Sequence, residues 1–109
     1  MTAPEMLALM VAAHMLADYP LQGEFLARGK NRTDPLPGVP WQHAMAAHCS
    51  IHGGLVGLIT GSIWLGLAEV TAHWLTDDAK CRGKITYHQD QAIHLGCKAA
   101  WAAIWGLST

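Results

Sequence analysis

Apolar residues recur along this chain at spacings of three and four residues, and no segment alternates apolar and polar residues with period two. The first pattern is typical of amphipathic helices, whereas the second would indicate strands. The sequence therefore predicts an all-α fold, with a single domain over residues 1–109. The expected architecture is a four-helix bundle with one additional short helix.

Prolines, glycines and one capping residue set the predicted helix limits. Pro4 suits a first helical turn, and Pro20 cannot continue the helix that Pro4 begins. Residues 31–40 hold three prolines and a glycine and are predicted to be a loop. Ser62 is a candidate N-cap, and Gly83 breaks the helix that follows it. The predicted helices span 4–19, 21–30, 41–60, 62–81 and from 88 almost to the C-terminus.

Four of these helices carry a pair of metal-ligand residues spaced by four. An α-helix makes one turn per ~3.6 residues, so positions i and i+4 lie on the same face. The chain has seven histidines, and five of them belong to these pairs. Neutral imidazole and carboxylate are the ligands of Zn²⁺, Mn²⁺ and Fe. The pairs are His14/Asp18, His48/His52, His73/Asp77 and Asp90/His94.

In three of the four helices the pair continues an apolar stripe. Leu7 and Val11 precede the first pair at helical spacing, Met45 precedes the second, and Trp101 follows the last. Burying His and Asp without partners costs several kcal/mol, so they must bind each other, water or a metal. A hydrogen-bonded core is the simpler interpretation of a single pair. Four pairs on facing helices favour a metal site.

The fourth predicted helix, 62–81, carries a longer polar stripe. Taken alone, its pattern is that of an ordinary amphipathic helix with a solvated acidic face. Taken together with the other three pairs, the same pattern favours a polar stripe that faces the expected metal site. The apolar side would then pack on neighbouring helices, on a second copy of the chain or on lipid, so a homo-oligomer and membrane association both stay open. The stripe comprises Glu69, His73, Asp77 and Lys80.

Three other polar residues are excluded from the expected site by the same helical arithmetic. His43 lies on the far side of its helix from His48, and Asp78 lies opposite Glu69. His88 precedes the last predicted helix, where it is expected to act as a cap at most.

Eight candidate ligands are too many for one ion, but two ions that share a bridging carboxylate could bind them. Two metals ~3.5–4 Å apart can activate a water and clamp a transferring phosphoryl group. Lys80 is expected to neutralise a phosphate oxygen or to pair with Glu69. Gln22, one turn past Asp18, is expected to hold the substrate or a water. We expect Lys30 to line a mouth of the site.

The composition of the chain excludes some classes of function. The formal net charge is −1 and only 14% of residues are charged, so we expect no binding of a nucleic-acid duplex. The three cysteines lack CxxC spacing, which indicates reduced thiols in a cytoplasmic protein. The apolar start lacks a basic region and contains Glu5, so no signal peptide is expected. The uncharged segment 53–68 is shorter than the ~20 residues of a membrane span.

Four sequence strings resemble the motifs of a small bacterial and phage family catalogued as domain of unknown function 3307. They are HMLADYPLQ (14–22), HCSIH (48–52), EVTAHWLTDDAK (69–80) and DQAIH (90–94), in the family's order and over nearly the whole chain. The resemblance implies an all-helical fold and supplies no reaction, and its members are often described as membrane-associated. It implies polar positions at His14, Asp18, Gln22, Lys30, His48, His52, Glu69, His73, Asp77, Lys80, Asp90, Gln91 and His94.

The leading hypothesis from the sequence is a metal-dependent hydrolase. It would be a phosphohydrolase that acts on a nucleotide or another small phosphoester, in the cytoplasm of a bacterial or phage-infected cell. Its eight metal ligands would be the four pairs, and Lys80, Glu69 and Gln22 would be catalytic. One alternative is a non-catalytic helical protein that is stapled by its metal or associated with a membrane. Another is a phage protein that binds a host factor and has a hydrogen-bonded polar core.

Overall fold

The computed structural model describes residues 1–108, and within that range it contains five helices and no strand. The predicted all-α fold is therefore confirmed. The helix over residues 41–60 matches its predicted limits, and the other helices differ from theirs by one or two residues. The helices are α1 Ala3–Asp18, α2 Gly23–Gly29, α3 Trp41–Thr60, α4 Ile63–Cys81 and α5 Tyr87–Ser108.

The helix ends follow from local sequence chemistry. At the start of α1 the Thr2 hydroxyl accepts a hydrogen bond from the Glu5 amide, and the Glu5 carboxylate accepts one from the Thr2 amide. Ser62 caps α4 as predicted, because its side chain accepts from the Leu65 amide. Gly61 ends α3 with a φ of 70°, a left-handed conformation that favours glycine. The predicted second helix starts later than expected because residues 19–22 form a turn.

The four long helices are neighbours in a closed order. α1 packs against α3 and α5, α4 packs against the same two helices, and the short α2 packs against α3. The described chain measures 46 × 23 × 21 Å, so it is elongated. One interior space is therefore shared by α1, α3, α4 and α5.

That interior is apolar at one end and polar at the other. The apolar part is a cluster of Met6, Met10, Val56, Leu65 and Ala102, with at least one residue from each long helix. On α1 the next residues along the same line, at spacings of four, are a histidine and an aspartate. On α1 the two methionines are therefore fully buried. The Leu7 and Val11 stripe that was expected from the sequence lies beside them.

α4 turns its polar stripe inward, as the sequence favoured. Glu69, His73 and Asp77 are each at most 1% exposed, whereas Trp64 is 77% exposed. Among residues 1–108, no helix combines the length and apolar character needed to cross a bilayer. Large apolar side chains of α4, such as those of Ile63 and Leu75, lie on the outer surface of the described molecule.

Two facing glycines let α3 and α4 approach closely. A Cβ added at Gly53 would lie 2.7 Å from the carbonyl oxygen of Gly66. A Cβ added at Gly66 would lie 2.8 Å from the carbonyl oxygen of Gly53. Because both obstacles are backbone atoms, neither can rotate away. The glycines therefore set the spacing of the two helices that carry His48, His52 and His73.

We expect Gly66→Ala to destabilise the fold by about 1–3 kcal/mol, because the new methyl group would push α3 away from α4. Gly54→Ala is the matched control: a Cβ there meets nothing within 4 Å, so the change should stabilise α3 by about 0.5–1 kcal/mol. Urea unfolding followed by circular dichroism measures both. Equal midpoints for the two variants would contradict a close contact at Gly66.

Candidate metal centre

Five imidazole rings from four helices converge at the polar end of the interior. They turn their Nε2 atoms toward the carboxylates of Asp18, at the end of α1, and Asp77, on α4. The rings of the middle histidines stack, with the His52 and His73 centroids 3.6 Å apart. The structure thus brings together all eight residues of the four predicted pairs, each at most 8% exposed. The histidines are His14, His48, His52, His73 and His94.

One group of ligand atoms surrounds the first carboxylate. Oδ1 of Asp18 lies 3.0 Å from Nε2 of His52, 3.3 Å from Nε2 of His48 and 3.7 Å from Nε2 of His73. These four side chains each offer one ligand atom, and those atoms lie within 4.8 Å of one another. Two ligands of a tetrahedral ion with bonds of about 2.0–2.1 Å are about 3.3–3.4 Å apart. The group therefore has the dimensions of a metal coordination sphere.

A second group adjoins the first. Oδ1 of Asp77 lies 2.9 Å from Nε2 of His94, and Oδ2 lies 3.1 Å from Nε2 of His48 and 3.5 Å from Nε2 of His73. His73, Asp77 and His94 form this second set. Because His73 belongs to both sets and the two oxygens of Asp77 face different histidines, two ions bound here would be neighbours.

The position of Nε2 of His48 is the clearest sign that the cluster suits a cation. This atom lies 3.3 Å from Oδ1 of Asp18, 3.1 Å from Oδ2 of Asp77 and 3.1 Å from Nε2 of His73. A ring nitrogen carries at most one hydrogen, so it cannot donate well to three acceptors at once. One or two divalent ions among these four atoms would satisfy all of them. The donor set and its spacing therefore fit a metal.

Glu69 orients His73. Its Oε1 lies 3.1 Å from Nδ1 of His73, and an ionised carboxylate can only accept, so Nδ1 carries the hydrogen. The lone pair of His73 is therefore on Nε2, which faces the other ligand atoms. A carboxylate behind a histidine is the usual support for a metal-binding imidazole.

Lys98 and Trp101 in turn hold Glu69. The Lys98 ammonium donates to Oε1, and the Trp101 indole donates to Oε2 at 2.7 Å. Burial would raise the pKa of Glu69, but the hydrogen bonds and the Lys98 charge outweigh it and lower that pKa to about 2. Both oxygens of this predicted catalytic carboxylate are thus occupied. Lys98 is 1% exposed and was not predicted, although it continues the fourfold spacing of Asp90 and His94.

Lys30 lies deeper than expected. Its ammonium donates to Oδ2 of Asp77 at 2.6 Å and to Oε1 of Gln22, and the residue is only 3% exposed. Gln22 also donates to the backbone carbonyl of Asp18 at 3.1 Å. The predicted mouth residue is therefore an interior cation that contacts a candidate metal ligand, and Gln22 is one of its supports.

The expected pairing of Lys80 with Glu69 is wrong. The two residues are eleven positions apart, or ~16 Å along α4 at 1.5 Å per residue, and Glu69 pairs with Lys98 instead. The Lys80 ammonium lies 5.9 Å from the centroid of the Tyr87 ring. The hydroxyl of Tyr87 contacts that of Tyr19, so Lys80 belongs to an outer group at the start of α5.

Gln91 links the two candidate ligands that lie outside the metal-sized groups. Its amide nitrogen donates to Oδ2 of Asp18 at 2.8 Å and to Oδ2 of Asp90 at 3.1 Å, and its Oε1 accepts from Nε2 of His14 at 2.9 Å. His14 therefore supports Asp18 through Gln91 in this arrangement. Asp90 contacts Nε2 of His94 at 3.2 Å. The sequence indicated Gln91 only through the family resemblance.

The three excluded residues lie apart from the cluster. His43 and His88 are exposed. Asp78 is buried, but both of its carboxylate oxygens accept hydrogen bonds from Arg32, at 2.7 and 2.8 Å. This ion pair ties α4 to the loop after α2.

The surrounding histidines keep the central carboxylates ionised. Burial would raise the pKa of Asp18, but hydrogen bonds from His48, His52 and Gln91 outweigh it and hold that pKa well below its usual range. Burial would also raise the pKa of Asp77, but hydrogen bonds from His48 and His94 and the charge of Lys30 hold it well below its usual range. Both aspartates are therefore available as anionic ligands at any physiological pH.

The histidines themselves differ from one another. Burial lowers the pKa of His52 to about 3, although Asp18 opposes that effect. Burial also acts on His94, but hydrogen bonds to Asp77 and Asp90 outweigh it and raise the pKa to about 9. His52 is therefore a neutral imidazole, whereas His94 is cationic and must lose a proton before it can bind a metal.

A scan against protein-family models, a search of curated proteins and a search of solved structures each returned no match. The resemblance to domain of unknown function 3307 therefore stays a prediction from the four sequence strings. The metal centre is inferred from the distances between the histidine and aspartate side chains of this chain.

These pKa values predict that the metal-free protein is most stable near pH 6.5. The lowered pKa of His52 contributes stability that is complete above the unfolded value of 6.5 and is lost as the pH falls toward 3. The raised pKa of His94 contributes stability that is complete below 6.5 and is lost as the pH rises to about 9. Each group should change the free energy of unfolding by about 1 kcal/mol per pH unit.

Urea unfolding of chelator-treated protein at pH 5, 6.5 and 8 tests this expectation. The His52→Gln variant should flatten the acid limb, whereas His43→Gln, an exposed position on the same helix, should leave it unchanged. Stability that rises steadily from pH 5 to pH 8 would contradict the assignment.

Proposed function

We propose that this chain is a metal-dependent phosphohydrolase that binds two divalent ions, Zn²⁺, Mn²⁺ or Fe²⁺, within a four-helix bundle. The short α2 is the additional helix of that bundle. The observation that carries the proposal is the position of Nε2 of His48 among three other ligand atoms, at distances that suit an ion better than hydrogen bonds. The substrate would be a nucleotide or another small phosphoester.

The ligands divide naturally between two ions. Asp18, His48 and His52 would hold the first ion, and His73, Asp77 and His94 the second, since each Nε2 can bind only one metal. Asp77 would help to hold both ions, because its two oxygens face His94 and His48 respectively. If Asp77 is shared, the first ion would have four protein ligands and the second three, so the second ion would keep an open position for water and substrate.

When bound, the two ions would lower the pKa of a water and withdraw charge from a phosphoryl oxygen. The chain's own residues would position the substrate. Lys30, whose ammonium already lies against Asp77, is better placed than Lys80 to neutralise a phosphate oxygen, and Gln22 holds Lys30 in place. We assign Glu69 a positioning role behind His73, since it contacts that ring's far nitrogen.

A non-catalytic protein stapled by its metal is the second candidate. Burial favours it: every candidate ligand is at most 8% exposed. A cavity of about 520 Å³ lies elsewhere, between α3 and α4, and is lined by residues such as Gly57 and Leu67. In that case metal binding would supply folding free energy without turnover.

Metal analysis of protein purified without a histidine tag, in the presence of inorganic phosphate, should find about two divalent ions per chain. His48→Ala should lose at least one of them and lower the melting temperature of the metal-loaded protein, because this ring faces both groups. His43→Ala removes an exposed histidine from the same helix and should keep both ions. A wild-type content near zero would refute both candidate functions.

Turnover separates the two candidates. With Mn²⁺ or Zn²⁺ bound, the wild-type protein should release phosphate from members of a nucleotide and phosphoester panel. Asp77→Asn should reduce kcat/KM by about a hundredfold or more, as expected for the loss of a charged metal ligand. Lys30→Met should reduce it more than Lys80→Met. Bound metal with no release from any substrate, together with loss of helix on chelation, would favour the stapled protein.

A further inference from the structure

The cluster carries an excess of buried negative charge. It contains four carboxylates, of Asp18, Glu69, Asp77 and Asp90, and two ammonium groups, of Lys30 and Lys98, all at most 8% exposed. Histidines that bind metal are neutral, so the charge of the metal-binding state without its ions is −2. Buried charge is costly unless it is compensated inside the protein.

Other charged groups near this end of the molecule do not change that count. Asp78 is neutralised by its paired hydrogen bonds with Arg32. Lys80 lies against the Tyr87 ring and is only half-buried. Exposed charges such as Lys84 are screened by solvent and salt. The net charge of the cluster is therefore determined by the four carboxylates and the two lysines alone.

Binding of one divalent ion would bring the net charge of the cluster to zero, and binding of a second would bring it to +2. We propose that the second ion binds together with an anion of charge −2, and that the substrate class is therefore a phosphate monoester dianion rather than a singly charged diester. This inference rests on the proposed two-ion function and names the substrate of the same site. Its basis is the balance of buried charge around Asp18 and Asp77.

Thermodynamic linkage makes the effect reciprocal. If a phosphate dianion strengthens binding of the second ion, that ion must strengthen phosphate binding by the same factor. Couplings between sites are commonly about 5- to 150-fold, and compensation of two buried charges should give about tenfold or more. The first ion, which completes a neutral cluster, should bind equally well with or without phosphate.

Equilibrium dialysis of the full chain against Mn²⁺ tests the proposal in three buffers of equal ionic strength. The buffers contain chloride, dimethyl phosphate as a singly charged diester, or inorganic phosphate at a pH where it is mainly the dianion. We expect about one ion per chain in the first two buffers and about two in inorganic phosphate. Two ions in chloride, or one in inorganic phosphate, would overturn the inference but leave metal binding intact. No bound ion in any buffer would refute the proposed function as well.

Lysine variants test the charge balance without any phosphate. Lys30→Met removes one buried positive charge, so the variant should bind a second Mn²⁺ in chloride. Lys98→Met makes the same change of charge from α5, and circular dichroism reports whether each variant is folded. Lys84→Met removes an exposed positive charge and should bind one ion in chloride, as the wild type does. A folded Lys30→Met or Lys98→Met variant that still binds one ion in chloride would contradict the proposal.

Discussion

The carboxylate of Asp77 joins α4 to three other segments of the chain. It contacts His48 of α3, His94 of α5 and the ammonium of Lys30 at the end of α2. Asp18 does the same for α1, through histidines of α3 and through Gln91 of α5. A buried anion requires compensation on every side, so these two aspartates constrain where each surrounding helix can lie. The other polar side chains of the interior are arranged around these two carboxylates.

The division of the interior explains how a small protein tolerates such a cluster. Met6, Met10 and Val56 lie in an apolar core at one end, where burial stabilises the fold without any ion. The close glycine contact between α3 and α4 adds tight packing near the middle of the molecule. The polar end is held by hydrogen bonds and ion pairs, whose net contribution to stability is small and depends on every partner being present. A metal would convert that end from a cost into a source of folding free energy.

The eight predicted ligands could be found from the sequence because each pair lies on one helix, where the period alone places both residues on one face. Their supports could not be found in this way. Lys30 reaches Asp77 across 47 positions of the chain, and Gln91 joins Asp18 across 73. Long polar side chains contact whichever helix folds beside them, and the helical period says nothing about that neighbour. The expected pairing of Lys80 with Glu69 was wrong because Lys98 of α5 pairs with Glu69 instead.

The sequence by itself determined the all-helical fold, the helix limits to within two residues and the inward direction of the four pairs. Those properties depend on local capping, on proline and glycine, and on a periodicity of three to four residues. Only the tertiary structure decided that Glu69 lies behind His73, that Lys98 rather than Lys80 holds it, and that Nε2 of His48 faces three acceptors. Those facts depend on the order and spacing of α1, α3, α4 and α5 around a shared interior. That order is set by long-range packing and by the compensation of buried charge.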